Sequence, residues 1–161
     1  MYYLTCLLHD IATTPKNLRA TKLSFEYYGG FIAHDLITKN GGTQDLAESV
    51  TEAIIRHQDF IQDGMITTVG QVIQIATKLG KKSHAISLTR DNMGAHAELI
   101  HPKTIEDISN KYPRNKWTGC FADVVKTEIK LKPWAHTTAM GPSQEEIVSG
   151  ILGNKVMAKY D

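Results

Sequence analysis

Apolar residues recur at intervals of three and four along most of this chain of 161 residues, and that spacing limits the possible folds more than any other feature. It places the apolar side chains on one face of a helix, which then packs against other helices. Seven helices are predicted in this way, over residues 2–13, 22–39, 43–57, 69–79, 102–112, 116–129 and 144–152. No segment alternates apolar and polar residues as a strand would. The sequence therefore predicts an all-α fold, a single-domain helical bundle.

Three of the predicted helices carry a recognisable start signal, and in the last of them it is the capping pair Ser143 and Glu146. Thr68 and Gln71 have the spacing of a capping box, in which two side chains satisfy backbone N–H groups of the first turn. Pro102 occupies a first helical position, where its missing N–H costs nothing. The segment that contains Pro15 is interpreted as a loop between the first two helices.

The composition argues against several classes of function. A net charge of +1, with 22% charged residues, gives no field that would attract nucleic acid or a membrane surface. No apolar run approaches the roughly 18–20 residues that span a bilayer, and no signal peptide is recognisable. The two cysteines, Cys6 and Cys120, suggest no disulfide framework. We therefore expect a cytoplasmic protein, and the sequence leaves its oligomeric state open, a homo-oligomer included.

The adjacent residues His9 and Asp10 are the strongest sign of chemistry. A neutral imidazole and a carboxylate are good ligands for Zn²⁺ and for Fe²⁺. Burying a carboxylate is costly unless a cation or a hydrogen-bonding partner compensates. The neighbours of this one are mostly apolar: Leu4, Cys6, Leu7, Leu8, Ile11 and Ala12. A second such pair, His34 and Asp35, shows that the dipeptide alone is a weak signal, and a hydrogen-bonded pair without metal is the alternative.

Several ordered strings of residues carry a more specific signal. They are LTCLLHDIATT at 4–14, RATK at 19–22, SFEYYGG at 24–30, TEAIIRHQD at 51–59, QIAT at 74–77, KPW at 132–134 and HT at 136–137. Through them, residues 3–79 and 91–136 resemble the cyanamide hydratases, fungal members of the HD-domain superfamily of metal-dependent enzymes. The resemblance implies a helical bundle of HD-domain type and a lyase activity, the hydration of cyanamide to urea. It also implies Zn²⁺ as the cofactor, with Fe²⁺ as the alternative.

The superfamily arrangement implies where the metal would bind. One helix gives a first His, the next gives an adjacent His and Asp, and a later helix gives a final Asp. By this resemblance the metal ligands are His9, Asp10 and Asp91. The first His would lie on a helix before residue 1. We therefore expect one HD-domain over residues 1–161 that is incomplete at its N-terminus and binds metal more weakly.

A polar stretch at 80–90 interrupts the match between Leu79 and Asp91. It is interpreted as an insertion. It is either a surface loop, which folded chains tolerate well, or an unspliced intron translated in frame. Asp91 has its own alternative, a solvated aspartate in a loop that follows the insertion.

Four further residues are candidates for roles around the metal. His57 continues the apolar stripe of its helix, so its side chain should face the interior, where it acts in catalysis or is a satisfied core histidine. Lys22 and Glu26 lie one helical turn apart, and the alternatives are an exposed ion pair and a role in substrate binding or in support of the metal ligands. Asn92, next to the expected final Asp, belongs to the same substrate-binding or supporting set.

The chemistry implied by the resemblance is the addition of water to a nitrile carbon. A divalent metal lowers the pKa of bound water and so supplies a nucleophile near neutral pH. The isourea that forms tautomerises to urea. His57 or a metal-bound water is the candidate donor of the proton that the nitrile nitrogen receives.

Two other functions stay open at this point. One is a metal-dependent nucleotide phosphohydrolase, which needs cations such as Lys22 and Arg56 around the phosphate. The other is a non-catalytic remnant of an HD-domain enzyme. For residues 1–161 alone we expect little or no hydration of cyanamide until an N-terminal helix with a His is restored and residues 80–90 are deleted.

Overall fold

The computed structural model describes residues 1–59, 64–81, 100–155 and 157–161. Eight α-helices lie in these ranges: α1 (Tyr2–Leu8), α2 (Pro15–Arg19), α3 (Phe25–Lys39), α4 (Gln44–Ile55), α5 (Thr68–Lys81), α6 (Pro102–Lys111), α7 (Trp117–Leu131) and α8 (Gln144–Leu152). Short 3₁₀ helices occur at Ile11–Thr13, His136–Met140 and Ala158–Tyr160. The described residues contain no β-strand, so the predicted all-α, single-domain bundle is confirmed.

The first predicted helix and the loop after it differ from the structure. α1 ends at Leu8 instead of continuing to residue 13. Pro15 begins α2 at a first helical position, where a missing N–H is tolerated. The Thr14 hydroxyl accepts a hydrogen bond from the backbone N–H of Asn17 at 3.4 Å and so caps this helix. The prediction of a loop around Pro15 was therefore wrong.

The start signals of the helices predicted at 69–79 and 102–112 have different outcomes. Pro102 begins α6 at its first position, as predicted. α5 begins at Thr68, but the capping oxygen belongs to Thr67, which accepts from the backbone N–H of Gly70 at 3.1 Å. The residue just before the helix takes this role because its own backbone is outside the helical conformation.

The buried side chains form two clusters that meet near the N-terminus. One cluster joins α3 to α7 and α8: Ala12, Leu18, Phe25, Phe121, Ala122, Val125, Met140, Ile147, Val148 and Ile151. The other joins α1, α3 and α4: Leu8, Ala33, Ile37, Ala47, Val50 and Ile54. Leu8 belongs to the second cluster and Ala12 to the first. The turn with His9 and Asp10 therefore lies where the two clusters meet.

A glycine allows α3 to lie close along α4. A Cβ at Gly30 would be 2.8 Å from Cγ1 of Ile55 and 3.2 Å from Cγ2 of Thr51. A Cβ at Gly29 would meet nothing closer than 3.6 Å, which is ordinary contact. The two neighbouring glycines thus differ in how much room they leave for a side chain.

Replacing Gly30 with alanine is expected to lower the free energy of unfolding by up to about 2 kcal/mol. Overpacking costs about 1–3 kcal/mol, against a gain of about 1 kcal/mol in helix propensity. Gly29→Ala is the matched control and should leave stability unchanged or raise it. Denaturant unfolding of both variants measures the difference, and equal effects at the two positions would contradict this packing.

No helix in the described ranges combines the length and the apolar character needed to cross a bilayer. Both cysteines are free thiols: Cys6 is half-buried and Cys120 is exposed.

Candidate active site

A break after α1 places His9 and Asp10 in a backbone turn. His9 is the C-terminal cap of α1, and its backbone N–H still donates to Thr5 O at 2.9 Å. Asp10 has left the helical conformation, with φ −105° and ψ 14°. Its carbonyl accepts a hydrogen bond from the Thr13 hydroxyl at 2.8 Å, which closes the turn. The two side chains are therefore presented from a turn between two core clusters and not from the middle of a helix.

His57 follows the end of α4 and is completely buried, at 0% exposure. Its Nδ1 donates to Ile54 O at 2.6 Å. Its ring packs edge-on against the rings of Phe25 and His9, with centroid distances of 5.8 and 5.2 Å. The predicted interior position beside the His9–Asp10 segment is confirmed, and a catalytic role for His57 stays a prediction.

One carboxylate faces both imidazoles. Asp10 Oδ2 lies 3.3 Å from His9 Nε2, and Asp10 Oδ1 lies 3.6 Å from His57 Nε2. Burial alone would raise the pKa of the Asp10 carboxyl. The interactions with His57 and His9 outweigh burial and hold this pKa well below its usual range. The carboxylate is therefore ionised at neutral pH.

The hydrogen bonds at Nδ1 of His9 and His57 determine which atom or ion must lie between each Nε2 and the Asp10 carboxylate. His9 Nδ1 donates to Cys6 O at 2.9 Å, as His57 Nδ1 does to Ile54 O. A neutral imidazole protonated at Nδ1 offers only a lone pair at Nε2, and carboxylate oxygens are acceptors too. The contacts with Asp10 are favourable only with positive charge between the groups, either a proton on Nε2 or a metal cation. Imidazole nitrogens beside a carboxylate are a donor set that fits Zn²⁺ or Fe²⁺.

Of the three predicted metal ligands, the structure describes His9 and Asp10 and brings their side chains together. Asp91 and Asn92 lie outside the described residues. Among the residues that the structure does describe, no three His, Cys, Asp or Glu side chains have the geometry of a metal cluster. The metal site therefore stays a prediction, with its two described ligands in contact.

Glu26 is fully buried and pairs with a residue distant in sequence, not with Lys22. Its Oε1 accepts a hydrogen bond from His136 Nδ1 at 2.7 Å. Lys22 is exposed, and its Nζ lies 5.9 Å from the centroid of the Trp134 ring. The alternative of an exposed Lys22–Glu26 ion pair was therefore wrong.

A buried ion pair at the end of α7 holds the start of α3. Glu128 and Lys132 are 0% and 1% exposed, and Lys132 Nζ lies 2.8 Å from Glu128 Oε1. The same oxygen accepts from the backbone N–H of Phe25 at 2.8 Å, and Lys132 Nζ donates to Leu23 O at 2.8 Å. The Thr137 hydroxyl donates to the other carboxylate oxygen. This cluster fixes Phe25, whose ring contacts the buried imidazole of the site.

Sequence reasoning assigned no role to four residues that shape this region: Ser24, Glu128, Lys132 and His136. The Ser24 hydroxyl accepts from the backbone N–H of His136 at 2.8 Å, which ties the 3₁₀ helix to the start of α3. A signal existed for three of them, because Ser24, Lys132 and His136 lie in the strings SFEYYGG, KPW and HT. The pairing across the chain was not visible in those strings.

The pKa of His136 is raised above its ordinary value, chiefly by the hydrogen bond to Glu26, while burial opposes the shift. The charges of Asp59 and Glu128 act in the same direction as Glu26, and the Tyr27 ring packs beside the imidazole.

We expect His136 to stabilise the fold fully below its unfolded pKa of about 6.5 and to lose that contribution as the pH rises through its raised pKa. The free energy of unfolding of the wild type, minus that of His136→Gln, should therefore shrink between about pH 6 and about pH 9. Denaturant unfolding across this range measures it. A difference that stays constant or grows with pH would contradict the pairing with Glu26.

Among known proteins, the chain is similar to cyanamide hydratases. No protein-family model matches the chain. The chain is 53% identical over 140 residues to two curated proteins of Saccharomyces cerevisiae, cyanamide hydratase DDI2 and cyanamide hydratase DDI3. The alignment covers 86% of this chain but 57% of each relative, so the chain spans little more than half the length of the relatives it matches. The resemblance to cyanamide hydratases seen in the sequence is confirmed, and membership of the HD-domain superfamily stays a prediction.

Proposed function

We propose that this chain holds the catalytic site of a metal-dependent hydratase that converts cyanamide to urea. The observation that carries the proposal is the half-buried Asp10 carboxylate, whose oxygens face His9 Nε2 and His57 Nε2 at 3.3 and 3.6 Å. The substrate comes from the names of the two yeast relatives, to which the chain is 53% identical. Because the chain spans 57% of their length, the activity of the whole enzyme is carried over to it as a proposal only.

His9 and Asp10 are proposed to hold the cation, with Asp91 as a further ligand. Zn²⁺ is the proposed cofactor and Fe²⁺ the alternative. A bound divalent cation would supply Lewis-acid activation of water near neutral pH. The hydrogen bond from His9 Nδ1 to Cys6 O orients the ring so that Nε2 is the ligating atom.

His57 is proposed to move the proton that the nitrile nitrogen must receive. Its Nδ1 is held by Ile54 O at 2.6 Å, so Nε2 is the ring atom that can exchange a proton with substrate. This atom lies 3.6 Å from Asp10, beside the proposed metal ligands. Water adds its oxygen to the nitrile carbon, the nitrogen takes up a proton, and the resulting isourea tautomerises to urea.

Glu26 is proposed to support the site from α3. It lies on the same helical face as Gly29, whose Cβ position would be 3.6 Å from His9 O. Its Oε2 is buried with no hydrogen-bond partner among the described residues, so it can accept from a bound ligand. Lys22 is exposed, and its described contacts do not support the predicted role in substrate binding. The role of Asn92 stays a proposal.

The cations near the motifs do not favour a nucleotide phosphohydrolase. Arg56 contacts Asp59 at 2.9 Å and Glu52 at 3.5 Å, and it donates to Met65 O at 3.0 Å. A guanidinium held by two carboxylates is poorly placed to bind a phosphate.

The test is incubation of the chain with Zn²⁺ and cyanamide, followed by measurement of urea. Urea is expected to form above the rate without protein, at the low level that the sequence predicts for residues 1–161 alone. Release of phosphate from nucleotides without urea would support the phosphohydrolase, and neither product would indicate a non-catalytic remnant.

We also propose a cytoplasmic location for the enzyme. An exposed thiol such as that of Cys120 persists in a reducing compartment, where disulfides rarely form.

A further inference from the structure

Several buried side-chain polar atoms in the described part of the chain have no hydrogen-bond partner. They include Asp10 Oδ1, Glu26 Oε2 and both amide atoms of Gln58. Asp10 Oδ1 lies 3.6 Å from His57 Nε2. Glu26 follows Phe25, whose ring packs against the His57 ring, and Gln58 follows His57 in the chain. Gln58 is only 3% exposed. Buried amides nearly always have partners, so the unpaired amide that follows His57 in the chain calls for a bound water or ligand.

The turn that carries Gln58 is held by α5. Gln74 Nε2 donates to Arg56 O at 2.8 Å, and the Thr77 hydroxyl donates to His57 O at 3.1 Å. The two backbone carbonyls just before Gln58 are therefore fixed. A small movement of the turn would break these hydrogen bonds, so the backbone that carries the Gln58 side chain is held in place.

We propose that the Gln58 amide binds the amino group of cyanamide, so that the site selects an aminonitrile over an alkyl nitrile of the same size. This inference rests on the proposed function. The amide oxygen accepts a hydrogen bond from an N–H of the substrate. Acetonitrile has the same linear skeleton with a methyl group in place of the amino group, and it would leave the buried amide oxygen unpaired. A site built around a substrate N–H rejects an analogue that lacks it.

The chain offers a matched control in Gln74, which is also 3% exposed but whose amide donates to Arg56 O. Gln74→Leu removes that hydrogen bond and should lower Tm by about 2–4 °C. Gln58→Leu should leave Tm unchanged or raise it, because no hydrogen bond among the described residues is lost. If Gln58→Leu lowers Tm as much as Gln74→Leu does, the amide has a partner in the protein and the proposal is overturned.

Binding is measured by NMR on the full ¹⁵N-labelled chain with Zn²⁺ present. The Gln58 side-chain signals are assigned from their loss in Gln58→Leu. Cyanamide should shift these signals in a saturable way and acetonitrile should not. Gln58→Leu should raise KM for cyanamide about tenfold or more and largely keep kcat.

The outcomes separate this proposal from the function on which it rests. If the ring signals of His57 respond to cyanamide while those of Gln58 do not, Gln58 does not bind the amino group and the hydratase proposal stands. If neither residue responds and no urea forms, the hydratase proposal fails and the role of Gln58 fails with it.

Discussion

Replacing Lys132 with methionine is expected to destabilise the folded chain by about 3–5 kcal/mol, because the Glu128 carboxylate then stays buried without its cation. Both side chains are at most 1% exposed, so solvent cannot easily replace the ammonium group. Leu23 O also loses the hydrogen bond that it accepts from Lys132 Nζ. Denaturant unfolding at neutral pH measures the change in the free energy of unfolding.

Lys126→Met on the same helix is the matched control. Lys126 pairs with Asp123 at 3.0 Å, but the two side chains are 45% and 77% exposed. Exposed ion pairs contribute little to stability, so we expect no measurable change. If Lys132→Met is as well tolerated as Lys126→Met, the buried pair is not what holds the start of α3.

Replacing His57 with alanine is expected to lower the turnover of cyanamide about 10²–10⁴-fold per folded molecule, the range for loss of a general acid or base. The ring is fully buried, so alanine also leaves a cavity and lowers stability. His57→Gln retains more of the side-chain volume and separates the two effects. The assay measures urea formation in the Zn²⁺-loaded chain, normalised to the folded fraction.

The second His-Asp pair, His34 and Asp35, provides the control for the loss of turnover. His34 lies half-buried on α3, and Asp35 is exposed and pairs with Lys39 at 2.9 Å. His34→Ala should leave turnover unchanged. If both His57 variants retain turnover per folded molecule and lose only stability, His57 is a core histidine.

The helices and the interior position of His57 could be predicted because both depend on a local pattern. Val50 and Ile54 are completely buried on α4, and His57 follows on the same stripe and is buried as well. Three-residue and four-residue spacing places these side chains together whatever the rest of the chain does.

The end of α1 could not be predicted in the same way. The apolar pattern continues from Leu8 through Ile11 and Ala12, and no glycine or proline interrupts it. The turn becomes visible only in the backbone angles of Asp10 and in the hydrogen bond that its carbonyl accepts from Thr13. Because that turn presents the proposed metal ligands, the sequence indicated their identity but not the backbone that positions them.

The support of the site depends on pairings that no local pattern contains. Glu26 and His136 are 110 residues apart in sequence, and Glu128 and the backbone of Phe25 are 103 apart. Glu128 and Lys132 have the spacing of an ordinary exposed pair on a helix, but contacts with Leu23, Phe25 and Thr137, all outside that helix, surround the pair. The predicted roles of Asp91, Asn92 and most of the insertion at 80–90 concern residues outside the described ranges, so those predictions stay untested.

His9 and Asp10 are proposed to hold a divalent cation that the hydration of cyanamide requires. The most direct measurement is urea formation from cyanamide by the chain supplied with Zn²⁺, compared with Asp10→Asn, and with bound zinc determined for both. Asparagine keeps the size of the side chain and removes the negative charge that faces both imidazoles. We predict that the chain forms urea above the level of Asp10→Asn, that a chelator abolishes this activity, and that the variant binds less zinc. Urea formation that is equal in the two proteins, or that survives removal of the metal, would contradict the claim.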